Sequence, residues 1–204
     1  MKQRPDNLQR FWLPCLLAIA LCFSIIVINP AIAKNSPIIS IKTNYYDIQG
    51  SSSTQLRSQL NQLGIVDPNT GDRFDAYTRW QVRWSYNYLP IGNQCQITNP
   101  KVNIDVTFTM PRWNNSANAS VELKKRWNRY ITALQTHEDG HKNHGINAGK
   151  DVLQTLTNLI TPSCQQISNV ANQKGQEVIK QYNLKDIEYD RLTNHGLTQG
   201  AVFP

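Results

Sequence analysis

Thr78-Arg79-Trp80-Gln81-Val82-Arg83-Trp84-Ser85-Tyr86-Asn87-Tyr88 places aromatic or β-branched side chains at every second position, with polar residues between them. A period of two sends one set to a buried strand face and the other to solvent. Val102, Ile104, Val106, Phe108 and Met110 repeat the pattern, and Pro90, Gly92, Asn93 and Cys95 between them read as the loop of an antiparallel pair. Upstream, residues 38–48 carry Ile38, Ile39, Ile41, Tyr45 and Tyr46 and predict another strand. Residues 51–54 offer N-caps for a helix through Leu56, Leu60 and Leu63 that Gly64 stops, and 67–72 is loop by composition.

Downstream the period changes. Val121, Leu123, Trp127, Tyr130, Ile131 and Leu134 mark one face of a helix predicted over about 119–160 and closed by Pro162. Gly140, Gly145 and Gly149 leave open one kinked helix or two. Residues 167–182 predict a further helix with a weak point at Gly175, and 183–204 give mixed signals. Strands followed by helices, without repeats, make the chain α+β: a small antiparallel sheet packed against helices.

Of 204 residues, 40% are hydrophobic and 17% charged, enough for a core and unlike a disordered tail. The net charge of +7 points toward nucleic acid or an acidic surface until the N-terminus is set apart. Lys2, Arg4 and Arg10 precede an apolar run over 15–28, and Ala31-Ile32-Ala33 supplies the small-x-small pattern of a cleavage site. Residues 1–33 therefore read as a signal peptide. Left uncleaved, the apolar stretch 11–28 would be a membrane anchor, although Pro14 shortens it. Cleavage leaves a single domain over 34–204, exported to the periplasm or secreted, with no stable membrane span. Its charge falls to +5, which removes the case for a nucleic-acid partner. Cys15 and Cys22 leave with the signal. Cys95 and Cys164 remain, and in an oxidising compartment they predict one disulfide.

His137-Glu138-Asp139-Gly140-His141 spells HExxH, expected about 0.002 times by chance in a chain of this composition. Histidines four apart share a helix face and can present both imidazoles to one zinc ion. Glu138 borders that face, where it can take a proton from a water attacking a polarised carbonyl. Gly140 is the local objection, being a poor helix residue. A catalytic zinc needs a third protein ligand. His144 shares the face but lies about 4.5 Å beyond His141 along the axis. Asn147 stands where a metzincin would carry its third histidine, and Asp151 lies far down the helix. His195 is the leading candidate and Asp190 the second, with Tyr189 or Arg191 as oxyanion stabilisers.

The chain resembles a bacterial family of predicted secreted zinc-dependent proteases, whose domain keeps the name domain of unknown function 922. The resemblance spans nearly all of 34–204. It rests on Tyr45-Tyr46-Asp47-Ile48-Gln49-Gly50, Ala76-Tyr77-Thr78-Arg79-Trp80, the Cys95 segment, Pro111-Arg112-Trp113, the HExxH at His137, and Tyr189-Asp190 with Thr193-Asn194-His195-Gly196. It implies a zincin-like active-site helix, zinc as cofactor and a peptide or protein substrate, cell-envelope material included. Two rival readings stand beside it. One is a non-catalytic, zinc-stabilised extracytoplasmic module holding glycan or peptide on Trp80, Trp84, Tyr86 and Tyr88, although such a row is more often core. The other is an anionic-polymer binder using Lys124, Lys125, Arg126 and Arg129, a run that is ordinarily a solvated helix face.

Overall fold

The computed structural model describes residues 36–67 and 71–203. The signal-peptide reading of 1–33 lies outside them, as does the middle of the expected 67–72 loop. Among the described residues no helix is long and apolar enough to cross a membrane.

The predicted first strand is β1 (Ile38–Ile48) and the first helix α1 (Ser53–Leu63), where Ser52 accepts from Gln55 N–H as N-cap. A short antiparallel pair, β2 (Ile65–Val66) and β3 (Arg73–Phe74), leads into β4 (Tyr77–Ile91) and β5 (Gln94–Trp113). The order is β1-β5-β4, and β6 (Ile160–Thr161) adds two pairs to the start of β5. The α+β class is as expected, but the sheet is mixed. β4 is antiparallel to β5, whereas β1 lies parallel to it, Ile39 beside Ile104 and Ile41 beside Val106. Side-chain alternation is identical in both orientations, and the long connection from β1 to β5 permits either.

The loop between the long strands is shorter than expected. Pairing continues through Pro90↔Cys95 and Ile91↔Gln94 to a turn at Gly92-Asn93, with one irregularity between Ser85 and Asn87. Residues 87–94 project beyond the core and are exposed throughout. With neither face buried, this stretch has no reason to alternate, and its composition imitates a loop.

The even-numbered residues of β5 from Val102 to Met110 are buried under α2 (Val121–Thr157), one unbroken helix of 37 residues capped by Ser120. Its glycines are points of close approach. A Cβ at Gly145 would lie 2.5 Å from Trp80 Cγ, and one at Gly149 would lie 2.3 Å from Ile104 Cδ1. α3 (Cys164–Thr193) begins three residues before the expected start at Ile167 and runs eleven residues past Tyr182, absorbing about half of the tail. Few of its residues are buried, namely Ile167, Ala171, Gly175, Tyr182 and Thr193, so its sequence shows little periodicity. The aromatic row of β4 faces this helix: Trp84 Nε1–H donates to Asn172 Oδ1 and Tyr86 O–H to Ser168 O, leaving Tyr88 exposed.

Cys95 and Cys164 form the expected disulfide, joining the start of β5 to the first residue of α3 across 69 residues of chain. In the chain-entropy picture such a bridge stabilises the fold by about 4 kcal/mol.

Candidate metal centre

The buried face of α2 carries Leu123, Trp127, Tyr130 and Leu134, and the next turns of the same face carry His137, Glu138 and His141. All three are enclosed, at 4%, 3% and 9% exposure. The helical repeat sets the two imidazoles edge to face, with Nε2 of His137 and Nε2 of His141 3.3 Å apart. α3 crosses opposite them. Its Asp190 places Oδ1 3.2 Å from His137 Nε2 and 3.0 Å from His141 Nε2.

Both ring protons are accounted for on the far side. His137 Nδ1 faces Gln199 Oε1 at 3.0 Å, and His141 Nδ1 faces Asp186 Oδ1 at 3.0 Å. With the ring protons on Nδ1, two imidazole Nε2 atoms and a carboxylate oxygen converge, which fits a cation. Their separations of 3.0, 3.2 and 3.3 Å are near the roughly 3.3 Å that tetrahedral zinc with bonds of about 2.0 Å demands. Burial opposes charge on His141, but its hydrogen bonds to Asp186 and Asp190 prevail and push its pKa up to about 10. Burial likewise opposes charge on Asp190, and the two histidines hold its carboxyl well below the usual range. The pocket favours a positive charge between these groups.

Glu138 lies beside the cluster. Thr78, at the start of β4, donates its hydroxyl to Glu138 Oε2 at 2.6 Å. Burial raises the carboxyl's proton affinity, and the Thr78 bond and the adjoining histidines offset part of that rise. Thr78, the three converging side chains, Glu138 and His195 all line one cleft of about 630 Å³, whose other walls include Phe74, Leu134, Ile187, Leu197 and Val202.

The structure reverses the order of the two leading ligand candidates. Continuing α3 to Thr193 brings Asp190 onto the face that meets α2. His195 lies beyond the helix end, in a turn where Asn194, His195 and Gly196 all have positive φ (47°, 51° and 83°). It is half exposed, packs on Phe74 with ring centroids 4.9 Å apart, and places Nδ1 3.7 Å from Asp190 Oδ1. It borders the cluster without converging on it. His144 turns away, with Nδ1 2.6 Å from Asp186 Oδ1. Asp151 is remote and accepts from Tyr182 O–H.

Neither proposed oxyanion stabiliser reaches the cleft. Tyr189 stacks on the His137 ring, nearly parallel with centroids 5.0 Å apart, and its hydroxyl is engaged by His137 O and Gln199. Arg191 is exposed and pairs with Glu188. Gly140 is what admits Tyr189, since a Cβ there would lie 2.3 Å from Tyr189 Cζ. The residue that argues against a helical motif is the one that allows the two helices to meet at the His137, His141 and Asp190 cluster. Sequence reasoning missed Thr78, Gln199 and Asp186. Asp186 had a signal, since it stands four residues before Asp190, but one visible only once α3 is extended.

The family of bacterial proteins of unknown function, DUF922, matches residues 43–196, and the chain belongs to it. No curated protein and no solved structure matches the chain significantly.

Proposed function

We propose that this protein is an exported zinc metallopeptidase in which His137, His141 and Asp190 hold the ion and Glu138 is the general base. The observation that carries the reading is the convergence of two imidazole nitrogens and a carboxylate oxygen beside a buried glutamate at the wall of an open cleft. Three protein donors facing open space suit a catalytic site, whereas structural zinc is closed by four.

A zinc ion held there supplies a Lewis acid that acidifies water and polarises a carbonyl. The chain's residues supply the rest. Thr78 occupies Glu138 Oε2 and so fixes the carboxylate plane. The other oxygen is left to accept a proton from water, and the same carboxyl then returns it to the departing amine. Gln199 and Asp186 fix the imidazole tautomers, so both ligands offer Nε2. On this reading His195, which lines the same cleft, is the donor to the substrate carbonyl. The extended, partly apolar cleft suits a peptide strand, from a protein or from cell-envelope cross-links.

The test is the zinc content of the mature protein, followed by Glu138→Gln against wild type on a broad peptide library. Stoichiometric zinc with Glu138-dependent cleavage is expected. Stoichiometric zinc without it would make the metal structural and favour the binding-module reading.

A further inference from the structure

We infer that Asp186 sets the metal affinity of this site by locking His141 in its ligating orientation, with His144 and Trp80 holding Asp186 in place. The inference rests on the metal centre proposed above and assigns it a positioning residue on the opposite helix.

Asp186 lies one turn before Asp190 on α3. Its Oδ1 is 3.0 Å from His141 Nδ1 and 2.6 Å from His144 Nδ1, while Oδ2 accepts from Trp80 Nε1–H at 2.6 Å. An ionised carboxylate only accepts, so all three neighbours are donors. His141 therefore carries a proton on Nδ1 and directs Nε2 toward His137 and Asp190. The neighbours come from two elements packed on α3: His144 from α2 and Trp80 from β4. Trp80 is itself seated against Gly145. Asp186 cannot rotate without breaking a bond on each side.

The two imidazole ligands are thereby unequal. His137 leans on a neutral amide, Gln199, whereas His141 leans on a carboxylate that is itself held from two elements. The arrangement also explains why His144, on the same helix face, is no ligand: its Nδ1 serves Asp186. His141, His144 and Asp186 do form a second group of donor atoms within 4.8 Å of one another. A cation there would have to displace both Nδ1 protons and share His141 with the first site. The Trp80 N–H on the other carboxylate oxygen marks Asp186 as a hydrogen-bond hub instead.

The experiment uses the mature chain and measures zinc affinity by chelator competition, the visible spectrum of the cobalt(II)-substituted protein, and thermal stability without metal. Asp186→Ala should weaken zinc binding about 10–100-fold and alter the cobalt spectrum. His144→Leu should weaken it less, and His144→Asn, which restores a donor near Nδ1, should recover wild-type affinity. The His144 pair carries the comparison should Asp186→Ala not fold. Zinc affinity within twofold of wild type in Asp186→Ala and His144→Leu, even with lowered stability, would reduce the network to scaffolding. Loss of a second zinc equivalent would make it a metal site in its own right, and either result overturns the inference alone. A wild-type chain that binds no zinc overturns the metal centre and this inference together.

Discussion

Replacing Gly140 by alanine should destabilise the protein, against the ordinary rule for a helix interior. Alanine is favoured over glycine there by about 1 kcal/mol. Here the new methyl would lie 2.3, 2.4 and 2.5 Å from Tyr189 Cζ, Oη and Cε1. Non-bonded carbons prefer about 3.5–4.0 Å, so the ring must withdraw by more than about 1 Å. Its retreat is opposed by the stack on His137 and by the hydroxyl contacts to His137 O and Gln199. Overpacking of this kind costs about 1–3 kcal/mol, and losing one hydrogen bond adds about 1 kcal/mol. After the propensity gain, the net is a loss of about 1–3 kcal/mol. For a chain of this size that lowers Tm by about 2–12 °C. Urea unfolding of the metal-free protein reads the free energy. Zinc affinity reads the displacement of Asp190, the next residue along the backbone. In a Tyr189→Ala background the clash is gone, and the same glycine substitution should become stabilising by up to about 1 kcal/mol. Stabilisation in the wild-type background, or an equal effect in both, would refute the reasoning.

Asp190→Ala should cost zinc affinity at least about 100-fold while His195→Ala keeps it within a few-fold, as equilibrium dialysis would show, since only Asp190 converges on both imidazoles. Thr78→Val removes a donor that favours the charged carboxylate of Glu138, so the proton affinity of Glu138 rises and the acidic limb of the pH–activity profile moves to higher pH. Replacing both Cys95 and Cys164 by alanine should lower unfolding free energy by about 4 kcal/mol in denaturant titrations, with no further loss on adding reductant.

The parts of the fold legible in the sequence are those with one face buried. Thr78 to Tyr86 and Val102 to Met110 lie under helices, and their alternation identified the strands. Where burial is absent, the signal is absent too: the exposed hairpin tip read as a loop, and the sparsely buried second half of α3 read as an irregular tail. That one omission propagated into the site. With 183–193 left unassigned, Asp190 had no face, Asp186 had no partner and His195 gained standing by default. His137, Glu138 and His141 were legible because helix geometry alone brings them together. Asp190 was not, because its place depends on how two helices cross. That crossing is set by Gly140 and the ring of Tyr189, with Trp80, seated on Gly145, bonding Asp186 of the second helix, and contact of this kind leaves no periodic trace.

The disulfide has a bearing on timing. α3 is about 45 Å long, fastened at its first residue by a covalent bond to β5 and joined near its last to the histidine pair. Between these fastenings Trp84, Tyr86 and Asp151 bond to its middle, and its two ends are held by the covalent bond and by the Asp190–histidine contacts. One end closes by thiol oxidation and the other, on the proposed reading, by a metal ion. Asp190 and Asp186 both ride on this strut. A chain still reduced would lack the covalent fastening of the helix that carries Asp186 and Asp190. On the proposed reading, thiol oxidation and metal uptake would then act on the two ends of the one helix that completes the site.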